Sequence, residues 1–504
     1  MSKYTLDVVE DGVLVKTLEA TAEQEDIVDY ALGPAPQNLL INALAGAAKT
    51  STLRFLCKYM SIEPTISLAF NKRIADEMAK VLPGHVRCAT MNSVGHRVWG
   101  AATGKRLIVE TKKNYNLVRE HIDNLPRHQK SDAYEIFGDI TKALSRAKLS
   151  GYVARGVTMG KALITADQFF GSFEEAPDDW FIELVDKCLG KSIVQAYAGL
   201  IDFDDQIYMP TLFGGSFPQF KRVLGDEAQD FSKLNQAMIE KLVGPHTWLA
   251  AVGDPYQSIY AFRGADTASM SWLQERFNMH EMGLSVSFRC PIAVVENAHW
   301  RVPHMKYPEW AKPGTVGALE RWSHKDIPDG SAVICRNNAP LMACALRLLR
   351  EGRGVRLMGT DLGPQLVKLL KKMGEPSTPR ADVMARIAAW EREKLARAQD
   401  AGSISDKAEC LRVFAGFGLT LGAAIDFCER TFRASGTIQL MSGHKAKGLE
   451  FDTCFHLDPH RIPSPWSKEG EALEQERNVK YVIETRSREA LFYIRLDGYE
   501  EETL

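Results

Sequence analysis

The sequence predicts an α/β protein with two parallel sheets, each interrupted by a helical insertion. Three observations predict it. Short apolar runs alternate with helical periodicities in the N-terminal half. A second group of such runs follows residue 330, and charged, helix-rich stretches break both groups.

Taken in order, "NLLINAL" (Asn38–Leu44) is an apolar run ending in small residues, and behind it Leu53, Leu56, Cys57 and Met60 recur at helical spacing. "TISLAF" (Thr65–Phe70) reads as a second strand, followed by a helix face of Ile74, Met78, Val81 and Leu82. Strand, glycine-bearing turn, helix, strand is the grammar of a parallel sheet covered by helices. From about 105 to 195 the chain is charged and helical, without strand alternation. Strand candidates resume at "RVLGDEAQD" (Arg222–Asp230), "TWLAAVGDPYQ" (Thr247–Gln257) and "MGLSVSFR" (Met282–Arg289). The second set is "SAVICRN" (Ser331–Asn337), "GVRLMG" (Gly354–Gly359), "TIQLM" (Thr437–Met441) and "DTCFHLD" (Asp452–Asp458), with a polar helical stretch at about 366–434.

The 504 residues allow three or four domains, at the usual ~100–200 residues each. Hydrophobic residues make up 45% and charged residues 25%, a globular balance, and no apolar run approaches the ~18 residues of a membrane span. The start of the chain lacks the apolar stretch of a secretory signal. Nine scattered cysteines without a C-x-x-C pair suit reduced thiols, and a cytoplasmic location is expected. A net charge of −2 excludes a globally basic nucleic-acid binder, but not a basic groove on a neutral protein.

The chemistry concentrates in a few turns after strands. "NALAGAAKTSTL" (Asn42–Leu53) approximates the phosphate-binding pattern G-x-x-x-x-G-K-[ST], with Lys49-Thr50 as its ending. Ala43 and Ala48 stand where the pattern has glycine. "VLGDEAQD" puts Asp226 and Glu227 directly after an apolar strand, where α/β proteins bind ligands. Asp226 with the Thr50 hydroxyl suits Mg²⁺, and Glu227 suits orienting and deprotonating a water. The alternative for such acids is a favourable helix N-terminus. Gln257, after the next strand, could sense a γ-phosphate. Tyr260, Phe262 and Arg263 suit base stacking and phosphate contact, or else a core. Phe288-Arg289 follows another strand, Arg486 in "YVIETRSREAL" falls on an expected helix, and "SGHKAKGLEFD" is a basic, glycine-containing turn.

In this order the segments resemble superfamily 1 DNA helicases of the UvrD/Rep/PcrA type, closest in flavour to the F-box DNA helicase branch and its small phage-like relatives. The resemblance runs over about residues 20–495. "ATAEQEDIV" resembles the Q motif, which implies that Gln24 reads adenine. "ALAGAAKT" resembles motif I, implying that Ala45, Gly46, Ala47, Ala48, Lys49, Thr50 and Ser51 hold phosphate. "AFNKRIADE" resembles motif Ia and "TMNSVGHR" the T-x-H-S segment, implying DNA contacts from Phe70, Asn71, Thr90 and Asn92. "DEAQD", "GDPYQSIYAFRGA" and "SFRCP" resemble motifs II, III and IV, with Phe288 stacking on adenine and Tyr260, Phe262 and Arg263 toward DNA. "SGHKAKGLEF" resembles motif V, implying Gly448 and Glu450 near the nucleotide, with Glu450 at the ribose, and His444 at the DNA. "YVIETRS" resembles motif VI, making Arg486 the second γ-phosphate arginine beside Arg289. Ala48 for glycine, Asn92 for histidine and Ser442-Gly443 before His444 depart from the pattern. They bear on rate and coupling more than on fold.

The resemblance implies two RecA-like P-loop NTPase lobes, with ATP and Mg²⁺ as cofactors. The expected division is 1–104 with 196–285 as the ATP-binding lobe and 105–195 as its insertion. The second lobe is 286–365 with 435–504, and 366–434 is a reduced insertion. The implied activity is an ATP-dependent helicase or translocase on single-stranded DNA and single/double-strand junctions, moving 3′ to 5′. Recombination or replication proteins are the implied partners, and no membrane is. A translocase that strips protein filaments without separating strands, and a catalytically weakened DNA-binding relative, are the alternatives.

Overall fold

The computed structural model describes residues 2–10, 13–69, 71–173, 177–259, 268–359, 362–396, 401–467 and 469–500. The chain forms two compact units. The first comprises Ala48–Ser172 and Pro177–Leu284 with the residues up to Ala43. The second runs through Ser285–Leu504 and includes the short segment Leu44–Ala47.

The first unit opens with a hairpin, β1 (Thr5–Glu10) against β2 (Val13–Glu19). Its main sheet holds β3 (Leu39–Ala43), β4 (Thr65–Ala69), β5 (Val86–Thr90), β8 (Arg222–Gly225), β9 (Trp248–Gly253) and β10 (His280–Leu284). The order is β10-β3-β9-β8-β4-β5 and every pairing is parallel. Parallel strands covered on both faces need continuous apolar runs, and every residue of β4 is buried. Helix Lys49–Tyr59 covers the sheet with Leu53, Phe55, Leu56 and Cys57. Helix Ala22–Ala31 starts at a capping box in which Thr21 and Gln24 satisfy each other's backbone N–H groups.

Residues 91–213 are mainly helical, as the charged composition predicts, but two short strands depart from that expectation. β6 (Ile108–Val109) pairs with β7 (Leu200–Ile201). Two lysines of this charged region are fully buried. Lys113 Nζ lies 2.6 Å from Asp205 Oδ2, and Lys148 Nζ lies 2.8 Å from Asp205 Oδ1. Burial without such partners would cost several kcal/mol per ion on the order given by desolvation, so these helices are tied together by charge at their centre.

The second unit holds β11 (Thr315–Leu319), β12 (Ala332–Cys335), β13 (Val355–Leu357), β14 (Ile438–Ser442), β15 (Phe451–Leu457) and β16 (Ser487–Ile494). They form a second parallel sheet in the order β11-β16-β15-β12-β14-β13. Its core packs Val333, Leu341, Leu348, Leu440 and Phe455. Four helices between β13 and β14 build a second core from Leu366, Ile387, Leu411 and Phe414, joined by Ala339, Met342 and Leu346 of helix Asn338–Arg350. The polar reading of 366–434 therefore describes only the outward faces.

Two sequence expectations need correction. The strand expected at Met282–Arg289 ends at Leu284, and Ser287 instead pairs its N–H with the Lys306 carbonyl. Arg486 is not on a helix. Helix Gly470–Glu484 ends two residues earlier, and Arg486 sits in the turn before β16. The hairpin and the strands β5, β11 and β16 were not legible either, because their apolar residues alternate weakly with polar ones.

Candidate functional site

Three neighbouring strands of the first unit, β3, β9 and β8, end side by side, with Asn42 opposite Gly253 and Ala251 opposite Gly225. Each chain then turns into chemistry-bearing sequence: the Lys49 loop, Asp254 and Asp226. Strand order, not sequence proximity, assembles the site.

Lys49 Nζ meets Glu227 Oε2 at 2.7 Å. Burial opposes the Lys49 charge, but the carboxylates of Glu227, Asp226 and Asp254 outweigh it and hold the ammonium above its usual pKa. Burial, reinforced by the Glu227 charge, pushes the Asp226 carboxyl up to about 6 against the pull of Lys49. Asp254 is likewise pushed up to about 6, chiefly by burial. Asp226 Oδ1 accepts from the Glu227 N–H at 2.9 Å, fixing the acidic pair relative to each other.

Two non-glycine residues here adopt left-handed backbone conformations. Ala48 has φ 57° and ψ 40° at the start of helix Lys49–Tyr59, and Glu227 has φ 52° and ψ 43°. Each costs roughly 1–2 kcal/mol. Such outliers persist where surrounding structure over-determines them, and they concentrate at functional sites. Ala48 thus occupies the conformation that glycine in the loop pattern would take without strain. The helix it starts carries no acid of its own in its first turn, and a helix N-terminus of that kind favours an anion. Thr50 is exposed and Ser51 half-buried in that turn.

Gln24 lies within the capping box and also donates through Nε2 to Thr52 Oγ1 at 2.9 Å, linking its helix to the lysine helix. Gln257 donates through Nε2 to Asp254 Oδ2 at 2.7 Å. Sequence reasoning singled out Gln257 but missed Asp254 and Gln229. Gln229 bridges the two motifs, donating to Glu227 Oε2 at 2.5 Å and accepting from the Asp254 N–H at 3.0 Å. The signal available was position alone: Asp254 directly follows a strand, as Asp226 does.

The second unit gathers a separate set. Arg289 grips Glu450 Oε1 with Nε at 2.7 Å and Nη2 at 2.5 Å. Arg486 is 1% exposed, bonded to the carbonyls of Val482 (2.8 Å) and Leu449 (3.4 Å) and to Thr485 Oγ1 (3.2 Å). Burial, joined by the charge of Arg289, pushes its guanidinium down to about 10. Phe288 is 38% exposed, with the Trp310 ring 6.1 Å away. His444 lies half-buried on the short helix Gly443–Ala446, and Gly448 turns with φ +81°. The Leu44–Ala47 segment of this unit carries Ala45, whose N–H donates to the Tyr481 hydroxyl at 3.1 Å, with Gly46 and Ala47 following. A Cβ on Gly46 would lie 2.7 Å from both Ser287 Oγ and Arg289 Cβ, and its φ is +76°, so only glycine fits.

Of the residues expected to touch DNA, three have structural occupations. Asn71 caps helix Lys72–Val81 by accepting from the Ile74 N–H at 2.9 Å. Thr90 caps helix Met91–Thr103 through the Ser93 N–H at 3.1 Å. Asn92 donates to the Phe203 carbonyl at 2.9 Å. Phe70, Tyr260, Phe262 and Arg263 lie outside the described residues.

The donor chemistry in the first unit fits Mg²⁺. The Asp226 carboxylate and the Thr50 hydroxyl are hard oxygen donors, and Mg²⁺ commonly takes one or two carboxylates alongside phosphate oxygens. A buried carboxyl raised to about 6 is also one that a cation would relieve. The description of a UvrD/REP helicase N-terminal domain matches residues 101–278, and that of a UvrD-like helicase C-terminal domain matches residues 424–497. The chain is 24% identical to F-box DNA helicase protein 1 of Schizosaccharomyces pombe, over 94% of this chain and 57% of that protein. It is 23% identical to F-box DNA helicase 1 of Gallus gallus, over 94% of this chain and 49% of that protein. The ATP-dependent DNA helicase UvrD1 of Mycobacterium tuberculosis is 24% identical over 45% of this chain and 32% of its own length. The chain spans about half the length of the two F-box relatives it matches.

Proposed function

Because the chain belongs to the UvrD-like helicase family, we propose that it is an ATP-dependent motor on DNA. The carrying observation is the Lys49–Glu227 pair set beside Asp226, beyond the ends of β3 and β8 of one parallel sheet with β9 between them. Lys49 exchanges its carboxylate partner for nucleotide phosphate. Glu227, released from the lysine, takes a proton from the attacking water. Thr50 and Asp226 hold Mg²⁺, which when bound neutralises phosphate charge. Gln257 reports on the γ-phosphate, and Arg289 and Arg486 stabilise charge on the transferring group, at the ~10³–10⁵-fold scale of such arginines. Gln24 and Phe288 recognise the adenine.

The substrate we propose is single-stranded DNA and its junctions with duplex, with movement 3′ to 5′. The F-box helicase and UvrD1 relatives support a DNA substrate by name. The test is ATP turnover with and without single-stranded DNA, followed by strand displacement on duplexes carrying 3′ or 5′ tails. DNA-stimulated turnover with displacement from the 3′ tail supports this reading. Turnover without displacement leaves a translocase that clears protein from DNA, and no turnover overturns the motor altogether.

A further inference from the structure

Gln229 is 1% exposed, yet its side chain faces two polar partners of opposite kind. The backbone N–H of Asp254 can only donate, and it meets Oε1 at 3.0 Å. The Glu227 carboxylate, ion-paired with Lys49, accepts, and it meets Nε2 at 2.5 Å. This pairing fixes which way the amide points, because the reversed amide would set donor against donor and acceptor against acceptor.

The same Glu227 oxygen also accepts from Lys49. Of these two donors to Glu227, nucleotide phosphate would draw Lys49 away, while Gln229 has no reason to leave. Room for the second is built in. A Cβ on Gly253, at the end of β9, would stand 2.5 Å from Gln229 Oε1 and 3.0 Å from its backbone N. Only a glycine lets Gln229 lie against that strand. The connection continues beyond Asp254, whose carboxylate accepts from Gln257 Nε2 at 2.7 Å and from the Tyr256 N–H at 3.0 Å.

We propose that Gln229 is a positioning residue of the hydrolytic site, holding the Glu227 carboxylate in place when Lys49 leaves it for phosphate. It acts through Glu227 and touches no reacting atom. It also ties the acidic turn to the segment bearing Gln257, so a displacement of either is felt by the other. This inference rests on Glu227 acting in ATP hydrolysis.

The experiment compares ATP turnover, in the presence of single-stranded DNA, across wild type, Gln229→Met, Gln229→Glu, Glu227→Gln and the double variant Glu227→Gln/Gln229→Met. Methionine keeps the shape and removes both hydrogen bonds. Expected is a kcat loss on the order of ten- to a hundredfold, the scale seen when the partner orienting a functional side chain is removed, with KM for ATP changed by less than about threefold because substrate contacts remain. Gln229→Glu keeps the bond from Asp254 but turns a second carboxylate on Glu227, so it should be at least as slow as Gln229→Met. The double variant should be no slower than Glu227→Gln alone, since residues acting as a unit are not additive. An active wild type with near-normal Gln229→Met overturns the inference alone. So does a Gln229→Met loss that multiplies fully with that of Glu227→Gln, or one matched by a KM increase and a lowered melting temperature. A wild type without DNA-stimulated turnover overturns this inference together with the motor reading.

Discussion

Lys49 Nζ stands 2.7 Å from Glu227 Oε2, although 178 residues separate them in the chain. Both ends of the contact are set by left-handed backbone, at Ala48 directly before the lysine and at Glu227 itself. The pair ties the site's one described lysine to its acidic turn.

Lys49→Ala should abolish ATP turnover by at least ~10²–10³-fold, the range for loss of one preorganised charge donor. Single-strand affinity should stay close to wild type, because the lysine lies among carboxylates at the strand ends. Fluorescence anisotropy with a labelled oligonucleotide and a steady-state ATPase assay check both halves. A parallel loss of DNA binding would contradict the assignment.

Ala48→Gly should relieve left-handed strain without rebuilding the loop. The strain of roughly 1–2 kcal/mol is partly offset by about 0.4–1 kcal/mol of added freedom in the unfolded chain. The net gain of at most ~1.6 kcal/mol should raise the melting temperature by up to roughly 6 °C, on the ~2–4 °C per kcal/mol expected for a unit this large. Turnover should change by about tenfold at most. An inert wild type restored to robust hydrolysis by this variant would mean that the natural loop is disabled.

The contribution of Asp254 to stability should fall as pH rises from about 4 to 6. Burial raises its folded-state pKa to about 6, against ~3.9 in an unfolded chain. The folded protein therefore binds the proton more readily. The resulting stability is fully present below about pH 4 and is lost as pH passes about 6. Asp254→Asn cannot ionise, and Gln257 can turn its amide to pair with it. The melting-temperature difference between variant and wild type should grow in the variant's favour from pH 4 to pH 7, by an amount worth at most ~3 kcal/mol. A difference that stays constant across that range would exclude Asp254 as the group responsible.

Arg289→Lys should lower turnover much more than DNA affinity. The guanidinium holds Glu450 by two nitrogens at once, a geometry that lysine cannot reproduce. A loss approaching ~10³-fold is expected if the residue serves the γ-phosphate. A loss below about threefold would instead leave Arg289 a structural partner of Glu450.

Much of the architecture is legible in the residues themselves. The run from Leu39 to Ala43 and the periodicity of Leu53, Leu56 and Cys57 announce strand and helix, since burial of one face imposes a repeat that a sequence displays. Lys49, Asp226, Glu227 and Gln257 stand out for the same local reason: each directly follows, or closely trails, an apolar run. Weak alternation hid β5, β11 and β16, and the end of helix Gly470–Glu484 could not be read to the residue, so Arg486 was misplaced onto it.

The sequence alone determined a parallel α/β chain with lysine- and acid-bearing turns after its strands, because those patterns are written within a few neighbouring residues. Tertiary structure decided the rest. Hydrogen bonding set β9 between β3 and β8, and so put Asp254 near Lys49 and in reach of Gln229. Packing buried Lys113 and Lys148 around Asp205, in a stretch whose composition reads as solvated. Arg289 met Glu450 across 161 residues of chain. Contact and burial depend on strand order and on which groups exclude water together, and residue type fixes neither.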